Sequence, residues 1–203
     1  MTEEKSAIEE LTELAKRSGR ELKSSEQAHK TSTPIHPVTY HRRKVYMANK
    51  ENATSFFCWY ADSTEFGDYR LFSGAFIPLD LPRSCQLKIR KKDVLDRWNP
   101  FRKTKSLKTG SGKFDGSVVV TAHDDLYLRS LLFDGKIQQR VLEVLDMEPA
   151  LKVGVNLVNL DFVPSLQDRS HLGLFFTQHW EFKLERVERL FQLIERFREQ
   201  VNA

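Results

Sequence analysis

The chain is short of the residues that would place it in several common classes. It has only two cysteines, Cys58 and Cys85, in apolar β-prone settings, so no disulfide framework is available and two free, buried thiols are expected. No apolar run approaches the roughly 20 residues that cross a bilayer, so no transmembrane segment is expected. The first residues, Met1-Thr2-Glu3-Glu4-Lys5, carry charge where a secretory signal has an apolar core. The expectation is therefore a cytoplasmic protein, with peripheral attachment to a membrane left open. The six histidines are scattered without ligand spacing, so no metal site and no cofactor are expected. There is no dinucleotide fingerprint and no nucleophile elbow. Gly110-Ser111-Gly112 resembles a phosphate-cradling loop, but it lacks the full Walker spacing and precedes a strand pattern.

What remains is ordinary globular composition, 40% apolar and 30% charged over 203 residues. The net charge of +4 is unevenly spread. From Arg83 to Lys113 there are eleven Lys or Arg against two acids, Asp93 and Asp96. Such a surplus points to an anionic surface or partner. Trp98 and Phe101 lie among these cations, as aromatic rings do that stack on bases or dip into a bilayer interface. The bland alternative is a solvated loop whose aromatics pack beneath the sheet. The candidate binding residues are Lys88, Arg90, Lys91, Lys92, Arg97, Trp98, Arg102, Lys103, Lys105 and Lys108. An anionic membrane surface or a protein partner ranks above nucleic acid.

The pattern along the chain predicts three segments. Residues 1–22 read as an amphipathic helix with Ala7, Ile8, Leu11, Leu14 and Ala15 on one stripe and Gly19 as its stop. Residues 23–37, rich in Ser, Thr and Lys with Pro34 and Pro37, read as a polar linker. Residues 38–203 read as a single α+β domain. Its first part is an antiparallel meander: strands over 38–47, 54–60, 69–77 and 86–90. A basic loop over 101–113 follows. The run from Phe114 reads as a buried strand leading to His123, with Val118-Val119-Val120 making it central and covered on both faces. Asp124 offers a cap for a helix from Leu126 to Leu132, and Asp134-Gly135 separates this from a second helix over 137–145. Lys152 to Val163 suits a long strand with a parity switch at Leu157-Val158, and 171–177 a last one. Trp180, Leu184, Val187, Phe191, Ile194 and Val201 recur at helical spacing and define a long C-terminal helix. The expected architecture is a mostly antiparallel sheet of six to eight strands, covered by two or three helices. The C-terminal stripe also admits a second reading, a homodimer seam.

For chemistry, His123 with Asp125 at a strand end is the one arrangement that suits an acid or base, as in a hydrolase. The competing reading makes Asp124 and Asp125 helix-start residues and His123 a loop residue. The first expectation is thus a non-enzymatic binding or scaffold protein that presents 83–113 to an anionic partner, with the hydrolase-like enzyme as the alternative.

Phe72-Ser73-Gly74-Ala75-Phe76, then the basic segment, then Phe114-Asp115 leading to Val118 and Val120, resembles an uncharacterised bacterial family of unknown function. That family pairs an F-x-G-x-[FI] strand with a later FD-x-x-[FV]-x-V strand. The likeness covers about residues 69–145 and implies no activity and no catalytic residues. Many members carry membrane helices ahead of the domain, whereas residues 1–37 here are polar.

Overall fold

A computed structural model describes residues 3–30, 39–50, 53–62, 71–94, 96, 106–123, 125–177 and 182–201. The fold is α+β, with eight strands and five helices among the described residues. The chain divides into two compact units, Met1–Phe76 with Phe176–Gln192, and Ile77–Phe175 with Leu193–Ala203.

The first unit begins with α1 (Glu3–Ser18), whose apolar stripe places Ala7, Leu11, Leu14 and Ala15 in the core. Gly19 ends it as expected. At φ 65° it lets Gly19 N–H reach the Lys16 carbonyl and Arg20 N–H the Ala15 carbonyl, the paired bonds of a Schellman cap. Strands β1 (Leu22–Lys30), β2 (Thr39–Ala48), β3 (Phe56–Asp62) and β4 (Leu71–Leu79) follow as an antiparallel meander in chain order. Aromatic residues pack on both faces of β3: Tyr60 stacks on Phe72 at 5.4 Å, and Phe182, from beyond the meander, meets Phe57 and Trp59 edge-on at 6.1 and 6.3 Å.

Strand β1 corrects the expected linker over 23–37. Residues 22–30 pair with β2 from Leu22↔Met47 to Lys30↔Thr39. Side chains from Lys23 to Ala28 are exposed, so the strand rests on its main-chain ladder and on cross-strand charge. Arg43 donates to Glu26 Oε1 at 3.0 Å, and His41 Nδ1 lies 2.6 Å from the same oxygen. Residues 31–37 of the expected linker lie outside those described.

In the second unit the strand order is β8-β7-β5-β6, again antiparallel: β5 (Gln86–Lys91), β6 (Val118–His123), β7 (Lys152–Val155) and β8 (Ser170–Phe176). One face carries Leu87, Ile89, Val118, Val120, Val153, Val155, Leu172 and Leu174, all buried. Lys91 shares that face and donates to Asp146 at 2.8 Å, which puts α4 (Gly135–Met147) over it. Helix α3 (Asp125–Phe133) adds Leu128 and Leu132, and α4 adds Ile137, Val141, Val144 and Leu145. The break between them is a cap: Asp134 accepts from Lys136 N–H at 2.7 Å and Ile137 N–H at 3.4 Å.

Three expectations change here. Residues Gly112–Ser117 form a short helix, α2, with Phe114 buried, so neither the loop to 113 nor the strand from 114 stands as expected. Strand β6 is the last in its order, not central. Its valines are nonetheless buried, and the 106–107 segment lines its outer edge: Leu107 N–H donates to Val120 O at 2.9 Å, and Val120 N–H to Ser106 Oγ at 3.1 Å. The long strand over 152–163 stops at Val155. Asn156, at φ 52°, turns the chain, and its amide donates to Cys85 O at 2.8 Å and Ser170 Oγ at 2.5 Å. The alternation seen beyond it belongs to a turn segment that buries Val158, Leu160, Val163 and Leu166.

Helix α5 (Leu184–Val201) matches the expected C-terminal helix; Trp180 lies outside the described residues. Its stripe is covered by the chain itself. Val187, Leu190, Phe191, Leu193, Ile194 and Phe197 are all buried.

Candidate functional site

The charge surplus lies wholly in the second unit. It holds 18 Lys or Arg against 14 Asp or Glu, whereas the first unit holds 14 of each. Within it, the pleat of β5 separates two sets of side chains. Leu87, Ile89 and Lys91 face α4. Gln86, Lys88 and Arg90 face the other way.

The ladders show what joins them. Lys88 stands opposite Thr121 on β6 and Gly154 on β7; Arg90 stands opposite Val119 and Lys152; Gln86 stands opposite His123. One sheet face thus gathers Lys88, Arg90, Lys152, Thr121 and His123. Thr121 and His123 are exposed, and the three cations are half-buried. Directly opposed residues hold their Cβ atoms about 4.5–5.5 Å apart, and diagonal ones about 7–8 Å. The Cβ atoms of Lys88, Arg90 and Lys152 are therefore neighbours on this face.

Arg90 is fixed from below by carboxylates. Its Nη1 and Nη2 donate to Asp96 at 2.5 and 2.7 Å, and Asp93 lies 3.7 Å away. Asp93 and Asp96 hold each other's turn, Asp93 N–H to Asp96 Oδ2 at 2.9 Å and Asp96 N–H to Asp93 Oδ1 at 2.8 Å. The guanidinium bond holds the Asp96 carboxyl well below the usual carboxylate range, against the opposing effect of burial, and the same bond raises Arg90. Beside this turn Val94 is 70% exposed, an apolar side chain in water next to Lys92.

The other sequence candidates fall into two groups. Lys91 points to the α4 face. Lys92 donates to the Asp115 carbonyl at 2.7 Å, so it supports α2. Lys108 is exposed near Asp115. Arg97, Trp98, Arg102, Lys103 and Lys105 lie outside the described residues. Gly110-Ser111-Gly112 is not an open phosphate cradle. Thr109 N–H and Gly110 N–H both donate to the Asp115 carboxylate at 3.0 Å, and so does the Thr109 hydroxyl. Burial pushes Asp115 up, but these bonds and the Lys108 charge bring it below the ordinary range.

His123 is exposed at the end of β6, and among the described residues nothing hydrogen-bonds its side chain. Asp125 opens α3; its side chain and all of Asp124 lie outside the described residues. No group of three or more His, Cys, Asp or Glu among the described residues could hold a metal ion. Both cysteines are buried and free, and burial pushes the Cys58 thiol up, so neither is placed as a nucleophile.

Sequence reasoning missed Lys152, Thr121 and Val94. A lone Lys before Val153-Gly154-Val155 carries no signal until the register puts it opposite Arg90. Among the described residues no helix is long and apolar enough to cross a membrane. Compared with protein-family models, curated proteins and solved structures, the chain matches none.

Proposed function

We propose that this protein is a non-enzymatic binding module that docks on an anionic lipid surface through the second unit. What supports the reading is one observation: Lys88, Arg90 and Lys152 share a sheet face of the unit that holds all of the surplus positive charge. A basic face attracts anionic headgroups at about 1 kcal/mol per Lys or Arg near the surface. The exposed Val94 favours lipid over nucleic acid, since an apolar side chain gains by entering the interface and gains little from a phosphate backbone.

The test is co-sedimentation of the full chain with phosphatidylglycerol-containing vesicles across a salt series, with polynucleotides as competitors. Salt-sensitive binding that polynucleotide does not displace is expected. Losing two lysines in K88Q/K152Q should weaken it by roughly tenfold or more. Displacement by polynucleotide would move the assignment to nucleic acid. Failure to bind either would end it.

A further inference from the structure

Strand β1 is nine residues long and pairs with β2 on one side only. Among the described residues, no main-chain hydrogen bond reaches its other edge. The register to β2 runs one to one from Leu22↔Met47 to Lys30↔Thr39, so no bulge turns the edge away, and the strand holds no proline. Strand β6, at the other end of the order, has its outer edge lined by Ser106 and Leu107. An open edge as long as β1 is a template for one more strand. The exposed side chains from Lys23 to Ala28 make no apolar pocket on either face. In strand addition the main chain supplies affinity and pockets select the sequence. Without pockets, selection falls to register and charge.

We infer that β1 is a self-association edge, to which a second copy of this chain adds its own β1 antiparallel about a two-fold axis at Ser25. The inference uses the first unit alone and does not rest on the lipid-surface reading. A two-fold axis perpendicular to the sheet keeps each face on its own side, so residues of the same parity meet and one residue meets itself. The longest such register centres on Glu26 and sets two carboxylates directly opposite, which is unfavourable. Centring on Ser25 sets Ser24 against Glu26, Lys23 against Gln27 and Leu22 against Ala28, so no like charges stand opposite. Centring on Gln27 loses the apolar Leu22–Ala28 pair and sets Glu26 against Ala28. In the Ser25 register, spanning 22–28 of each copy, alternate pairs exchange both bonds, giving about six to eight main-chain hydrogen bonds. Glu26 keeps its bond from Arg43, so no contact of the folded chain is given up. The first unit holds 14 Lys or Arg and 14 Asp or Glu, so two copies meet there without net repulsion.

The experiment is a concentration series of the full chain, micromolar to millimolar, by light scattering and sedimentation without vesicles. The mass should rise reversibly from 23.7 kDa toward twice that value. Two variants locate the contact. Successive N–H groups point to opposite sides of a strand, so one of Ser24→Pro and Ser25→Pro removes only an outward N–H and leaves the β2 ladder whole. That variant should fold, as circular dichroism and the unfolding midpoint check, and should stay monomeric. The register is read by Ser25→Cys and Gln27→Cys under mild oxidation; the native Cys58 and Cys85 are buried. Opposed Cβ atoms about 4.5–5.5 Å apart suit a disulfide, so S25C should cross-link roughly tenfold faster than Q27C. If neither proline variant folds, the cross-linking carries the test. A monomer at every concentration would overturn the inference and leave the lipid-surface reading standing. A dimer that persists in the folded proline variant would place the contact elsewhere and overturn it as well. Faster cross-linking through Q27C than through S25C would overturn the Ser25-centred pairing.

Discussion

Arg90 and Lys152 face each other across the β5–β7 ladder, and Asp96 clamps the guanidinium of Arg90 with both carboxylate oxygens. The clamp sets a carboxylate beside two cations that stand opposite each other. The Asp96 side chain is only 6% exposed, so its loss leaves Arg90 against Lys152 with one partner fewer. Asp96→Asn should destabilise the protein by about 1–2 kcal/mol. The same change in a Lys152→Gln background should cost measurably less, because the opposed charge is gone. A double-mutant cycle by urea unfolding reads the coupling. A coupling of zero would mean that Lys152 does not feel Arg90.

The end of α1 meets α5 within the first unit. Arg20, its side chain 6% exposed, makes a two-point contact with Glu188, and its guanidinium lies 4.7 Å from the Phe191 ring centroid. Glu188→Ala strips the carboxylate from a nearly buried cation and should cost about 2–3 kcal/mol. Arg20→Met keeps much of the stacking on Phe191 and removes the charge, so it should cost less. If Glu188→Ala leaves the unfolding midpoint unchanged, α1 is not docked as described.

How far the sequence reveals this fold depends on where the side chains point. Helix α5 is legible because its apolar residues repeat at helical spacing and are buried. Helix α1 is legible for the same reason, and Gly19 marks its end. Strand β1 is not, because residues 23–28 are exposed on both faces and leave no alternation to read. The turn segment after Asn156 misleads in the opposite sense, since it buries Val158, Leu160, Val163 and Leu166 without being a strand. The candidate site divides in the same way. Lys88 and Arg90 stand out as cations on an alternating strand. That Lys152 joins them and that Asp96 holds Arg90 depends on register and turn geometry, which composition does not carry.

His171 gives a pH dependence with a definite sign. Burial pushes its imidazole down to about 4, with the Arg83 charge adding to the effect, while contacts to the backbone of Arg169 and Val158 oppose it. The folded chain therefore resists protonating this residue, whereas the unfolded chain takes the proton near 6.5. The stability tied to the neutral ring is complete above the unfolded value and is lost as pH falls from about 6.5 toward 4. From pH 7 to pH 5 the loss should be about 2 kcal/mol. Asp96 and Asp115, both held low, add their losses only at more acidic pH. Urea unfolding at pH 7 and pH 5 checks this, and His171→Gln should flatten the difference even if it lowers stability at both.

Gly154 supplies the sharpest packing test. It sits on β7 between Lys88 and Gly173 in the ladders, with Leu157 folded over it. A Cβ there would lie 2.4 Å from Leu157 Cδ1, 3.1 Å from Leu157 Cγ and 3.1 Å from the Leu87 carbonyl oxygen. The first two contacts belong to one side chain that can rotate or be removed; the third belongs to the backbone of the neighbouring strand. Gly154→Ala should therefore destabilise by about 1–3 kcal/mol, as overpacking does. Removing the leucine by Leu157→Ala has its own cost in lost burial. In the double variant the two costs should sum to less than their separate values by about 1 kcal/mol, the part of the clash that Leu157 causes. Strict additivity would mean that the Leu87 backbone alone sets the penalty and that Leu157 moves aside without cost. In that case the apolar wall that Leu157 makes over Gly154 is yielding.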